Sequence, residues 1–355
     1  MANIFDFATK ELTQDAFLCW SFQWINEENL PMKNYGLSLL NSFLAKHDIE
    51  IFSDVLEVEV KRQYKKIDVL IKVKYENNKT VSVIIEDKTY STEHSNQLKR
   101  YKEIILNEEK AKPVGIYYKT DYIYDYEEKV VDESGYKIFT KDDMIKVMLK
   151  HKNLVDSEIF HSYLDYLIKL QEKENRIKKL IRQNDIYNTL NTHIGQWILM
   201  KEIFYKGNDK INNSLFKEEL YHGSSVGIPW TQYKIIDEKE FIKDSIFYRI
   251  DKRSGKYYIS LRQYNSFYNV SKEEFQAEMD KKMQRLAILR ACFDNVIKHK
   301  DLNLNPGKVV NGRYKESEIG IFFIGQENDY TALINNIKIF NKKYQEELIK
   351  YKDKF

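Results

Sequence analysis

Ile67-Asp68-Val69-Leu70-Ile71-Lys72-Val73 is followed, across the polar connection Tyr75-Glu76-Asn77-Asn78-Lys79-Thr80, by Val81-Ser82-Val83-Ile84-Ile85-Glu86-Asp87-Lys88. Successive side chains of a strand alternate between faces, so Val69, Ile71 and Val73 share one side and Asp68 points to the other. By the same rule Glu86 and Lys88 project together and Asp87 turns away, which discounts Asp87 as a partner of the other two. The connection is rich in turn-forming residues, so the two runs form a hairpin that brings Asp68 near Glu86. Charges at buried strand ends are costly unless paired or metal-bound. Two carboxylate ligands suit Mg²⁺, with Mn²⁺ as a substitute, which keeps several waters and takes further oxygens from a substrate phosphate. Such a cation lowers the pKa of a bound water, and Lys88 beside it would orient or help deprotonate that water and stabilise charge in the transition state. A cross-strand ion pair on a surface hairpin would use the same residue types.

Outward from the hairpin, the span from Thr92 to Leu106 is predicted to be a helix, with Ser95 or Thr92 as cap and Leu98, Tyr101 and Ile105 along one stripe. Gln97 and Tyr101 are four apart and lean over one face, although Tyr101 also falls on the apolar stripe and could be core. Val114-Gly115-Ile116-Tyr117-Tyr118 then reads as a buried strand reached by a crossover. Upstream, Leu56, Val58 and Val60 alternate with Glu57, Glu59 and Lys61 as a half-buried strand, and 34–49 reads as a helix. The order is helix, two or three strands, helix, strand.

Carried by Asp68, Glu86-Asp87-Lys88 and Gln97-Leu98-Lys99-Arg100-Tyr101, the chain resembles the PD-(D/E)xK nuclease superfamily, in particular its RecB-like branch with a Gln-x-x-x-Tyr motif. Ile67 stands where the superfamily's name has proline, a position that supplies backbone shape rather than chemistry. The resemblance implies an α/β fold with a restriction-endonuclease-like core, a mixed sheet flanked by helices, over residues 1–155, followed by a helical and α+β region over 156–355 that selects substrate or partner. It implies that Asp68 and Glu86 hold the metal, that Lys88 acts with them in catalysis, and that Gln97 and Tyr101 support the site or touch substrate. Lys10-Glu11-Leu12-Thr13-Gln14-Asp15-Ala16-Phe17 resembles the opening helix of a bacterial group of these nucleases, making Glu11 a third metal carboxylate. Glu11 would equally suit a first helical turn for its dipole. Gln14 or Asp15 could face the site instead, because Thr9 and Thr13 are both candidate caps.

The expected activity is therefore Mg²⁺-dependent hydrolysis of phosphodiester bonds, with DNA favoured over RNA and endo- and exonuclease action both open. Defence against foreign DNA, restriction or repair are the roles the resemblance suggests. The competing readings are a nuclease fold that binds nucleic acid or protein without cutting, and an RNA-directed nuclease. With 57 basic and 54 acidic residues the net charge of +3 does not announce nucleic acid, so contact would come from a local patch such as Lys61, Arg62, Lys65, Lys66, Lys99 and Arg100. Cys19 and Cys292 fit neither a disulfide nor a zinc site, and no run approaches a membrane span or a signal peptide, which points to a cytoplasmic protein without a membrane partner.

Farther along, 122–131 is acidic and tyrosine-rich and reads as a loop or edge element, Tyr136-Lys137-Ile138-Phe139 as a strand, and Thr140 with Asp143 as a capped helix start. Helical periodicity from Asp156 could serve a homodimer or partner contact, though a helix packed on its own domain accounts for it as well. A further helix spans 186–205. Residues 246–250 and 256–262 flank a glycine-bearing turn, and Arg249, Lys252, Arg253 and Arg262 beside aromatics could grip a nucleic-acid strand. A long helix from Ser271, a strand over 318–324 and a lysine-rich helix follow.

Overall fold

The computed structural model describes residues 3–8, 11–49, 55–77, 79–93, 96–109, 113–205, 216, 219–225, 228–236, 242–325 and 329–355. The chain divides into two compact units, Met1–Asn175 and Arg176–Phe355.

The first unit opens with helices α1 (Glu11–Gln23) and α2 (Leu30–Ala45). The second of these starts four residues earlier than its apolar pattern suggests. Asn29 accepts the amide of Met32 and Pro31 occupies the first turn, where a missing N–H costs nothing. Strands β1 (Val55–Tyr64), β2 (Ile67–Tyr75) and β3 (Thr80–Lys88) form an antiparallel meander. Helix α3 (Gln97–Glu109) then crosses over to β4 (Val114–Lys119), which pairs parallel to β3, and β5 (Tyr136–Thr140) pairs parallel to β4. The sheet order is β1-β2-β3-β4-β5, a mixed sheet flanked by helices as the sequence led us to expect.

Between β4 and β5 lies a correction: the acidic stretch read as a loop is helix α4 (Asp125–Glu133). Glu127 makes the difference. It turns inward, takes the Tyr124 amide at 3.0 Å and pairs with Lys119 at 3.0 Å, so an apparently solvated charge run is anchored by one buried carboxylate. Helix α5 (Lys141–His151) has the expected start, Thr140 and Asp143 bonding each other's backbone amides, and α6 (Glu158–Arg182) follows.

Alternation along β2 and β3 sorts the sheet into two faces. Val69, Ile71, Val73, Val83 and Ile85 join the large core with α1, α2, α5 and the first turns of α6, where Phe160, Tyr163, Leu164 and Leu167 are buried. The other face, with Leu70 and Ile84, packs with Leu98, Tyr101 and Ile105 of α3, and Ile67 at the start of β2 joins the same cluster. Phe17 stacks on Tyr163 with centroids 3.7 Å apart, and Asn3 donates to the Ser162 carbonyl, so the unit's two ends are clasped together.

The second unit holds α7 (His193–Phe204), an antiparallel sheet of β6 (Glu219–Ser225), β7 (Ile228–Ile236), β8 (Ser245–Arg253), β9 (Lys256–Tyr264) and β10 (Glu316–Ile324), and helices α8 (Phe275–Ile297) and α9 (Tyr330–Lys350). Strands β6 and β7 were not legible in sequence, and the helix expected over 186–205 is a short 3₁₀ turn followed by α7, which Thr192 caps. Phe293, Phe322 and Phe340 meet within 5.3 Å to build one end of its core. Among the described residues no helix is long and apolar enough to cross a membrane, and both cysteines are free.

Candidate active site

Asp68, Glu86 and Lys88 come together because two hairpins place them in register. In the first, Lys65 and Lys66 both have positive φ (51° and 73°) and make a two-residue turn between the paired residues Tyr64 and Ile67. Gln63 therefore lies opposite Asp68, and its Nε2 donates to Asp68 Oδ1 at 3.1 Å. In the second, the pair Val69–Ile85 sets Asp68 beside the end of β3, where Asp68 Oδ2 accepts the Asp87 amide at 3.0 Å. Asp68 is half-buried and held on both oxygens.

Glu86 is the centre of the arrangement. It is 2 % exposed, and its Oε1 accepts from both Lys88 Nζ and Gln97 Nε2, while Oε2 is buried with no hydrogen-bond partner among the described residues. Burial pushes its pKa up, and Lys88 pulls it back. For Lys88, burial works to lower the pKa, but the carboxylates of Glu86, Asp68 and Glu11 outweigh it and hold the ammonium above its usual value. Lys88 is thus a cation at neutral pH, suited to donate and to attract negative charge rather than to accept a proton.

Gln97 opens α3, its amide is accepted by Glu93 at 2.8 Å, and its side-chain Nε2 donates to Glu86. Tyr101, one turn on, lies in the apolar cluster with the Arg100 guanidinium 5.2 Å from its ring. Burial and Glu86 raise its pKa. Helix α1 begins at Glu11, Thr13 lies inside it, and the alternative cap Thr9 falls outside the described residues, as does Ser95. Glu11 Oε1 accepts the Thr89 amide at 3.2 Å and the Ser91 hydroxyl, so this carboxylate is tied to the segment leaving β3. Gln14 bonds Thr89, and Tyr163 donates to Gln14 at 3.3 Å.

Two further carboxylates occupy the α1 face of the sheet. Asp87, turned away from Glu86 as the strand period requires, is fully buried with neither oxygen hydrogen-bonded. Burial, with Asp15, Asp68 and Glu11 adding to it, lifts its pKa well above the carboxylate range. Asp15 is 1 % exposed and is pushed to about 7 by burial and the nearby Asp68, although Gln63 donates to its Oδ2 at 3.1 Å. Gln63 therefore bridges Asp15 and Asp68, a role that no motif announces; its signal is only its place opposite Asp68 in a hairpin whose turn lacks glycine.

A carboxyl whose folded pKa lies above its unfolded value contributes stability below about pH 4 that is lost as pH rises toward 7. Asp15→Asn, which keeps the acceptor for Gln63, is accordingly expected to match wild type near pH 4 and to exceed its stability by roughly 4 kcal/mol at pH 8. Urea unfolding in EDTA across that range checks this; a difference independent of pH would refute it.

Among the described residues no group of three or more His, Cys, Asp or Glu side chains is gathered so that it could hold a metal ion alone. A magnesium-type ion does not need one, since one or two carboxylates, waters and substrate oxygens complete its shell. The uncommitted, buried Oε2 of Glu86 beside the carboxylate of Asp68 fits that requirement. Of the surrounding bases, Lys61 pairs with Glu59 and Lys65 with Glu108, whereas Arg62, Lys66 and Lys99 have no ion pair among the described residues.

Compared with known proteins, residues 2–206, more than half of the chain, match the family model described as the PD-(D/E)XK nuclease superfamily. No curated protein and no solved structure matches the chain.

Proposed function

The chain belongs to the PD-(D/E)XK nuclease superfamily, and from that premise we propose that it hydrolyses phosphodiester bonds of DNA with Mg²⁺, which Mn²⁺ can replace. The observation that carries the reading is the convergence on Glu86: Lys88 and Gln97 on one oxygen, the other uncommitted, and Asp68 alongside. Asp68 and Glu86 would hold the cation, with Glu11 as a third carboxylate on the α1 side. When bound, the cation would supply a water of lowered pKa and screen charge on the phosphate.

The chain's own residues divide the remaining work. Gln97 fixes the Glu86 rotamer and Gln63 that of Asp68, so both carboxylates are set before substrate arrives. Lys88, kept protonated, positions the attacking water through its N–H groups and stabilises the anionic transition state. Arg62, Lys66 and Lys99 would meet the phosphate backbone, and residues 156–355 would select substrate or partner. Foreign-DNA defence, restriction and repair are the settings in which such an activity would serve.

The test is cleavage of linear duplex, circular duplex, single-stranded DNA and RNA during Mg²⁺ and Mn²⁺ titration. Cleavage should require the divalent cation, disappear in EDTA, and be lost in Asp68→Ala. Metal-independent cutting, or undiminished cutting by Asp68→Ala, would overturn the site. No cleavage of any substrate together with no cation binding by calorimetry would instead mean a binding module on a nuclease fold.

A further inference from the structure

The second unit contains a cleft of about 640 Å³, lined by Leu190, Asn191, Gln196, Trp230, Lys252 and Tyr257 among others. That size is ordinary for a small-molecule or nucleotide site. Its walls come from the segment entering α7, from β7, and from the β8–β9 hairpin.

Three features define what it can hold. Gln196 on α7 is 2 % exposed, and its Nε2 donates to the carbonyls of Leu190 at 2.8 Å and Pro229 at 3.1 Å, yet its Oε1 has no donor among the described residues. A buried acceptor left without a donor is unfavourable, and a ligand N–H would offset that. Trp230 is half-buried along the cleft. Its indole crosses the facing strand at Gly223, where a Cβ would lie 2.3 Å from the ring, so only glycine lets it lie down there. Finally, Lys252 lines the cleft as a cation with no ion pair among the described residues. Arg249 is held by Asp251 and Glu316, Arg253 by Glu318, and Arg262 by Asp251, Glu316 and Glu318. Each of the hairpin arginines is thus engaged by carboxylates of its own sheet. Lys252 has no ion pair among the described residues and stands 4.9 Å from the Tyr257 ring centroid, exposed at the cleft.

We propose that this cleft binds one unpaired nucleotide of the nucleic-acid substrate, its base stacked on Trp230 with an N–H directed to Gln196, and its phosphate on Lys252. A flat π face, a hydrogen-bond acceptor and one cation are the complement of a base carrying a phosphate, and single strands are bound elsewhere by the same combination of stacking and charge. The inference rests on the nuclease reading for the identity of the ligand. It adds to that reading a recognition site for single-stranded segments in the second unit.

The full chain in EDTA, which prevents cleavage, is titrated into labelled single-stranded DNA, single-stranded RNA and blunt duplex, followed by fluorescence anisotropy. Single strands should bind more tightly than duplex, and Trp230→Leu should weaken them about ten-fold, within the range for a lost base stack. Lys252→Ala, at an exposed position near the end of β8, should weaken them and reduce the salt dependence by about one phosphate contact. The DNA and RNA arms identify which sugar is accepted. Unchanged single-strand affinity in both variants, or equal loss for duplex and single strand, would overturn the proposal. If Lys88-dependent cleavage survives while the cleft variants behave as wild type, only this inference fails; if wild type with Mg²⁺ cuts nothing, the nuclease reading fails with it.

Discussion

Lys88→Ala is expected to slow cleavage by about 10²–10⁴-fold, the range for losing a positioned proton donor or a charge that stabilises the transition state. Lys88 is 5 % exposed, and its ammonium is bonded to Glu86 and, at 3.3 Å, to the Asp87 carbonyl. It stands two residues from Glu86 on the same face of β3 and bonds that carboxylate directly. A readout separate from rate tests the assignment further. Removing a positive charge from Glu86 should leave divalent-cation affinity equal or tighter by calorimetry, whereas Asp68→Ala should weaken it. A Lys88→Ala enzyme that cuts as fast as wild type removes the lysine from the mechanism.

Glu127→Ala is expected to destabilise the first unit by about 3–5 kcal/mol, because it leaves a buried ammonium without its counter-ion. Lys119 and Glu127 are both almost wholly inaccessible, and Glu127 also accepts the Tyr117 hydroxyl at 2.8 Å. The damage would travel. Lys119 also donates to the carbonyl of Ser91, whose hydroxyl bonds Glu11, so the pair steadies the segment that holds a candidate metal carboxylate. Urea unfolding of Glu127→Ala, and of Lys119→Met combined with Glu127→Leu, separates the lost pair from the stranded charge. The double variant should recover most of the loss, and equal loss in both would refute the account.

Period-two alternation was enough to assign Asp68, Glu86 and Lys88 to one face and Asp87 to the other, because both strands are buried and their pattern is set by packing on each side. Spacing put Gln97 and Tyr101 on one face of their helix, and only the resemblance implied that this face meets the site. What sequence could not convey was the environment. The burial of Asp15 and Asp87 against the α1 face leaves no mark in the sequence, and Gln63 is an unremarkable polar residue until the Lys65-Lys66 turn fixes its register. That turn uses two lysines where glycine or asparagine is the usual signal, so the pairing of β1 with β2 had no marker. Helix α4 was misread for a related reason: charge density suggests solvent, and only the inward Glu127 reveals a packed helix. Strands β6 and β7 lack the sharp alternation of β2.

Gln14 is bonded to Thr89 on one side and to Tyr163 on the other, and Tyr163 shares a hydrogen bond with Tyr118 at 2.9 Å. The contact with Tyr163 joins residues 149 positions apart. A ribosome delivers Asp68, Glu86 and Lys88 early, and the hairpin carrying them is local enough to pair at once. The brace behind them is completed only when α6 has emerged. Vectorial synthesis thus separates the appearance of the reactive groups from their final immobilisation, and a prematurely terminated chain would carry the carboxylates on a scaffold without its back wall.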